Sequence, residues 1–366
     1  MAWLPDFPWD SLAAATELAR AHPDGIVDLS VGTPVDPVPD VVQAALCGAG
    51  NSPGYPLTAG TAAVREAAAA WLLRRHGVSV DPETVLPVIG TKEFIAWLPT
   101  LLRCGQGDLV TYPELAYPTY DVGARLAGAT PAAADGLVAL GPRRVALAWL
   151  NSPSNPTGKV LPPDHLRKVI SWARDRGTVV ASDECYIELG WEAEPLSILH
   201  PDVCEGSYQG LLAVHSLSKR SNMAGYRAGF VTGDPALIAQ LREVRKHAGM
   251  MVPGPVQAAM AAALGDDAHA DEQRDRYRAR RKALWPALAA AGWTVEESAA
   301  GLYLWATHPG YDGRASVQRL AQAGILVAPG DFYGPAGVRH IRLALTATDE
   351  RIAAAVERLA GLHASA

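Results

Sequence analysis

Short apolar runs at residues 85–88, 109–111, 145–150, 178–182, 211–215 and 229–232 alternate with stretches whose apolar residues follow the helical period. Strands separated by helices must cross over before pairing. The alternation therefore predicts an α/β fold with a mostly parallel central sheet covered by helices on both faces. Several helix ends are legible. Asp164 is expected to cap a helix carrying Leu166, Val169, Ile170 and Ala173 on one face, with Gly177 as its stop. Asp234-Pro235 starts another, with Leu237, Ile238, Leu241 and Val244 on its buried side. Toward the end the pattern changes. Segments 302–306, 325–327 and 341–345 read as strands of a smaller α+β domain, followed by a helix from about Asp349. The first 45 residues hold few strand signals and are expected to pack with residues 285–366, leaving 46–284 as the large domain.

Polar residues unusual for a core stand just past the predicted strands: Gly90-Thr91-Lys92, Tyr117, Asn155, Asp183-x-x-Tyr186 and Ser216-x-x-Lys219. Open α/β sheets bind ligands beyond the carboxyl ends of their strands, so these five segments point to one site. Composition narrows what that site serves. The net charge of −6 supplies no basic excess for nucleic-acid phosphates. No apolar stretch reaches membrane-spanning length, and the acidic start of the chain lacks a secretory pattern. Cys47, Cys104, Cys185 and Cys204 have neither zinc nor dithiol spacing. A cytoplasmic enzyme without a metal, acting on small molecules, is expected.

Lys219 directly follows a strand and is flanked by small hydroxyl residues. A sheltered amine there loses its proton more easily than a surface lysine and can condense with an aldehyde. Arg227, eight residues on, begins the next strand, where its fork can clamp a phosphate. Asp183 ends an almost apolar run and needs a partner to stay ionised. Asn155, held before Pro156 in a turn-rich loop, is stiff enough to direct a hydrogen bond.

Together Asn155-Pro156-Thr157-Gly158, Asp183-x-x-Tyr186 and Ser216-x-Ser218-Lys219 with Arg227 resemble the signature of fold-type I pyridoxal 5'-phosphate aminotransferases of class I/II. Gly32-Thr33-Pro34, Tyr55-Pro-Leu-Thr-Ala-Gly60, Tyr117-Pro-Thr-Tyr120, Pro329-Gly330 and Arg342 extend the resemblance over most of the chain. It implies that Lys219 holds the cofactor as a Schiff base and shuttles protons, and that Asp183 keeps the pyridine nitrogen protonated. Asn155 and Tyr186 are implied to bond the ring's phenolic oxygen, and Tyr117 to stack on the ring. Thr91, Lys92, Ser216 and Arg227 are implied to hold the phosphate, with Tyr55 reaching the phosphate of a neighbouring subunit in a homodimer. Gly32 lines the entrance, and Arg342 grips the α-carboxylate of amino-acid and 2-oxo-acid substrates.

Phe7-Pro8-Trp9-Asp10, Lys246-His-Ala-Gly-Met-Met-Val-Pro253 and Leu345-Thr-Ala-Thr-Asp-Glu350 are further similar to actinobacterial succinyldiaminopimelate aminotransferases. That likeness implies amino exchange between N-succinyl-LL-2,6-diaminopimelate and 2-oxoglutarate, a step of lysine biosynthesis. Arg20, Lys92, Arg245 and Lys246 stand as unranked candidates for reading the distal anionic group. An aminotransferase for another amino acid, or a pyridoxal phosphate β-lyase, is the alternative. A serine acyl-enzyme built on Ser216-x-x-Lys219 is a remote one, because its S-D-N and K-T-G companions are missing.

Overall fold

A seven-stranded sheet organises the molecule in its computed structural model, which describes residues 4–136, 140–141 and 143–363. In chain order the strands are β1 (Val27–Asp28), β2 (Leu86–Ile89), β3 (Leu109–Tyr112), β4 (Thr130–Ala133), β5 (Val145–Asn151), β6 (Val179–Asp183) and β7 (Leu211–Ser216). β8 (Ala228–Gly233), β9 (Thr294–Glu296), β10 (Tyr303–Thr307), β11 (Ile325–Leu326), β12 (Ala328–Pro329) and β13 (His340–Ala344) follow. The large sheet has the order β2-β8-β7-β6-β5-β3-β4. β8 runs antiparallel to both neighbours, and the other pairs are parallel.

Every apolar run expected to be a strand of this sheet is one, to within a residue at either end. The cause is burial on both faces, which makes parallel strands nearly continuous apolar runs. Along β7, Leu211 and Ala213 pack with Val180, Leu166 and Ile170 on one face. Leu212 and Val214 pack with Ala181 and Phe94 on the other. Each large side chain so buried stabilises the fold by roughly 1.5–3 kcal/mol relative to exposure. β4 carried no such signal. It is an edge strand of Thr130, Pro131, Ala132 and Ala133, all at least partly exposed.

Asp234 accepts hydrogen bonds from the Ala236 and Leu237 amides, at 2.8 and 3.4 Å, and so caps the helix Pro235–Ala248. Asp164 does not cap. The helix Pro163–Arg176 begins one residue earlier, because Pro163 has no amide proton to satisfy and its φ already suits a first turn. Asp164 instead pairs with Arg167 one turn on, while Gly177 ends the helix in the left-handed conformation, as expected.

The smaller sheet is antiparallel, in the order β12-β13-β10-β9. The strand expected over 325–327 is β11, but it pairs with β1 in a separate two-stranded sheet, and it is the next short strand, β12, that pairs with β13. Leu12, Ala15, Ala19 and Val27 share a core with Leu302, Leu304, Ile325, Leu343 and Ile352. The helix Asp40–Gly48 packs instead on the helix Gly254–Gly265, with Val42 in the core beneath the large sheet. No helix among the described residues is long and apolar enough to cross a membrane.

Candidate active site

The reversal of β8 explains why residues far apart in sequence meet. Ser216, the last residue of β7, lies opposite Gly229, so Arg227 just ahead of β8 returns to the same edge. Ile89 at the end of β2 lies opposite Ala228, which brings Gly90, Thr91 and Lys92 there too. Asp183 pairs with Asn151 one strand further along. A cavity of about 450 Å³ opens at this edge. Gly32, Thr91, Lys92, Tyr117, Asn155, Asp183, Tyr186, Ser216, Lys219, Arg227 and Arg342 all line it. Tyr55 does not. It projects away, 97% exposed.

Lys219 is pulled below the usual lysine pKa, first by desolvation and further by the positive Arg227 and Arg342, with Tyr303 and Cys185 opposing. Its amine therefore gives up a proton more readily than one in water. Asp183 is 5% exposed and has no cationic partner among the described residues. The Tyr120 hydroxyl donates to it at 2.7 Å and the Cys185 amide at 3.2 Å. Burial raises its carboxyl pKa despite these two bonds. A cation placed against it would reverse that, since an opposite charge favours the ionised form. Asn155 is held by its neighbour in the loop: its amide donates to Asn151 Oδ1 at 2.7 Å, while Asn151 Nδ2 donates to the Asp183 carbonyl at 2.9 Å.

One end of the cavity is built for an anion. The helix Thr91–Leu101 starts there, presenting free amides and the positive end of its dipole. Gly90, at φ 73°, precedes it, and a Cβ at this position would stand 2.3 Å from Arg227 Nη2. The left-handed backbone favours glycine here, and the missing side chain lets the guanidinium lie against it. Ser216 Oγ, accepting from the Ser218 amide at 3.1 Å, completes this end.

The other end is formed by the small lobe. Arg342 is 2% exposed and donates to Asn155 Oδ1 at 2.9 Å and to the Ser30 carbonyl at 2.7 Å. Its guanidinium carbon lies 3.9 Å from the centre of the Tyr303 ring. The Tyr303 hydroxyl in turn lies 3.1 Å from that of Tyr186. A Cβ on Gly32 would come within 2.3 Å of the same Tyr303 oxygen, so this glycine makes room for the tyrosine. Sequence reasoning missed Tyr303, Tyr120 and Asn151. Tyr120 lies inside a segment already singled out and Asn151 opens the loop that carries Asn155, and a polar residue three or four positions from a site residue is the signal that marks them. Tyr303 carries no local signal.

The structure ranks the cations near the distal end. Arg245 is fully buried and committed to Glu93 at 3.0 Å. Arg20 pairs with Glu17 and Lys246 with Glu243 on the surface, away from the cavity. Lys92 alone of the four lines it. Its ammonium lies 5.4 Å from the Phe7 ring centre and 5.9 Å from that of Tyr117, with no oxygen partner among the described residues. A second cavity of about 510 Å³ shares Phe7, Trp9, Lys92 and Tyr117 with the first and continues over Ala96, Tyr112 and Phe332.

Known proteins resemble this chain over nearly its whole length. Residues 24–359 match the family "Aminotransferase class I and II". The probable aminotransferase Rv1178 of Mycobacterium tuberculosis is 67% identical over 98% of this chain and 86% of its own length. The 4-dedimethylamino-4-oxo-anhydrotetracycline transaminase OxyQ of Streptomyces rimosus is 60% identical over 98% of this chain and all of its own. A solved structure of a probable N-succinyldiaminopimelate aminotransferase from Thermus thermophilus superposes with a TM-score of 0.88. It is 30% identical, covering 97% of this chain and 100% of that one. The chain belongs to the class I and II aminotransferases, enzymes that transfer amino groups with pyridoxal 5'-phosphate.

Proposed function

We propose that this aminotransferase exchanges an amino group between N-succinyl-LL-2,6-diaminopimelate and 2-oxoglutarate. Lys92 carries the reading. It is a cation without an oxygen partner among the described residues, placed at the cavity mouth where the remote carboxylate of a long or a short dicarboxylic substrate can meet it. The likeness to the Thermus protein, whose name carries that substrate, agrees with it.

The residues fit the cofactor. The anion end, with its helix start, Ser216 and Arg227, suits a phosphate, and the unpaired Asp183 suits a protonated pyridine. Pyridoxal 5'-phosphate supplies an aldehyde that takes up amino groups and a ring that accepts electrons left at the α-carbon. In this reading Lys219 binds the cofactor covalently between turnovers and, when released, carries the proton away from the substrate α-carbon. Asp183 would hold the pyridine proton, Asn155 and Tyr186 would bond the phenolic oxygen, and Tyr117 would stack on the ring. Thr91 and the Lys92 amide join Ser216 and Arg227 on the phosphate. Arg342 receives the α-carboxylate under Gly32, its orientation kept by Asn155, Ser30 and the Tyr303 ring.

The apolar walls of the second cavity favour another acceptor, a large polycyclic ketone of the kind named for the Streptomyces relative. A half-reaction screen read from the cofactor's absorbance separates the two. Glutamate should convert the bound cofactor to its amino form, and the succinylated 2-oxo acid should return it faster than pyruvate, phenylpyruvate or a polycyclic ketone. Lys92→Met should raise KM for both dicarboxylic substrates roughly 10- to 100-fold, the worth of a hydrogen bond to a charged group. Arg342→Ala should weaken every substrate alike. Faster return by the polycyclic ketone, or a Lys92→Met enzyme with unchanged KM, would overturn the assignment and leave the aminotransferase chemistry standing.

The exposed Tyr55 is read as serving the phosphate of a partner in a homodimer. Mixed dimers of Tyr55→Phe and Lys219→Ala chains should then contain one site with both defects and one with neither, recovering activity above the Lys219→Ala homodimer. A fully active monomer in sedimentation would refute this.

A further inference from the structure

Behind the floor of the active-site cavity lies a second polar cell. Asp183 and Ser216 face the cavity, and the residues beside them in sequence, Glu184 and His215, turn the other way, as successive residues of an extended chain do. Arg220, next to Lys219, reaches the same place. Together with Trp71 these side chains surround a void with about 10 Å³ of room for the centre of a water molecule. Ser216 and Cys185 line both this void and the active-site cavity, so a single layer of side chains separates them.

The polar atoms around the void are unusually ill-matched by protein partners. His215 is 2% exposed, and neither ring nitrogen has a hydrogen-bond partner among the described residues. Glu184 gives one carboxylate oxygen to the Ile198 amide at 2.8 Å, while Oε2 has none. That oxygen stands 3.6 Å from His215 Nε2, too far for a direct bond. Arg220 pairs with Glu188 and donates to the Ala263 carbonyl at 3.0 Å, yet its Nη2 is unpartnered. Leaving one such buried group unsatisfied costs about 1–3 kcal/mol, and buried waters bridge groups of this kind.

We propose that an ordered water occupies this void, bridges Glu184, His215 and Arg220, and through them holds Asp183, Ser216 and Lys219 in place from behind. Glu184, His215 and Arg220 are thus positioning residues for the cofactor-holding set. Among the described residues, the charged and titratable groups facing the pair are His76 on the helix Ala62–His76, the Cys185 thiol, Glu188, Arg220, and Asp183 alongside on β6. Burial depresses both histidines, His76 to about 4, and pushes the Glu184 carboxyl up to about 7. Both imidazoles are therefore neutral at neutral pH and can both give and accept a hydrogen bond. That suits a water-linked chain better than an ion pair.

The test begins with a high-resolution crystal structure of the holoenzyme. The expected result is one well-ordered water within hydrogen-bond distance of at least two of Glu184 Oε2, a His215 ring nitrogen and Arg220 Nη2. A direct Glu184–His215 bond with no water between them overturns the proposal. In solution, His215→Phe should lower kcat about tenfold or more per folded, cofactor-loaded site, since small displacements of reacting groups are costly. KM for glutamate should stay within about twofold, because Arg342 is untouched. The pH at which the bound cofactor's visible band changes form should move by about half a unit or more. Glu184→Gln, which keeps a donor and an acceptor at the void, should retain activity to within about threefold, whereas Glu184→Leu should not. An unchanged band titration with undiminished kcat in His215→Phe overturns the positioning role. If that variant does not fold, the wild-type water and the Gln/Leu contrast decide.

Discussion

Lys219→Ala is expected to lower turnover by at least about 10⁴-fold, the combined loss of a covalent tether and of the general base. The protein should still fold and bind pyridoxal 5'-phosphate, because Ser216, Arg227 and Asp183, proposed above to hold the phosphate and the pyridine, remain in place. The visible band of lysine-linked cofactor should be missing, and borohydride should no longer fix the cofactor to the chain. Small primary amines added to the solution should restore part of the proton transfer, since the cavity left by the side chain opens to the mouth. A Lys219→Ala enzyme with more than about a hundredth of wild-type kcat would move the proton-transfer role elsewhere, as general bases contribute at least that much.

The second large effect belongs to Asp183. Replacement by alanine removes the carboxylate proposed to balance a pyridinium, and kcat is expected to fall roughly 10²- to 10³-fold, typical for losing a preorganised charge stabiliser. Tyr120, whose hydroxyl now donates to Asp183, would be left with a buried unpaired donor, adding about 1–3 kcal/mol of instability. Cofactor carrying a methyl group on the pyridine nitrogen separates these costs. It is permanently cationic, so it should restore much of kcat in Asp183→Ala without restoring stability in thermal unfolding. Failure of the methylated cofactor to raise kcat would mean that Asp183 acts by some route other than holding the ring nitrogen cationic.

The two predictions differ in how far the sequence alone supports them. Asp183 directly follows an apolar run and Lys219 stands a few residues past one, and a polar group in such a position is legible from periodicity. The same holds for Asn155, Ser216 and Thr91. Arg342 is different. It lies inside β13, and the resemblance alone marked it before the structure bound it to Asn155, Ser30 and the Tyr303 ring. Lys92 and Arg245 looked equivalent as candidates for the remote carboxylate. Packing separates them, since Arg245 is buried on Glu93 while Lys92 lines the cavity with its ammonium beside the Phe7 and Tyr117 rings.

The buried strands of the large sheet, most helix ends and the residues beyond strand ends were determined by the sequence, because period, capping and proline or glycine chemistry act over a few residues, whereas the edge strand β4 left no such mark. Even there a local rival won once, when Pro163 displaced Asp164 as the start of its helix. What the tertiary structure decided is adjacency. The antiparallel course of β8 sets Arg227 beside Ser216 and Gly90, and the division of 325–329 between β11 and β12 steers the chain from β1 to β13, which carries Arg342. The tyrosine over that arginine, the Lys92 ammonium that meets no oxygen partner among the described residues and the void behind Ser216 all depend on which segments pack together. No short-range rule encodes that, since the contacts form only when residues hundreds of positions apart exclude water from a common core.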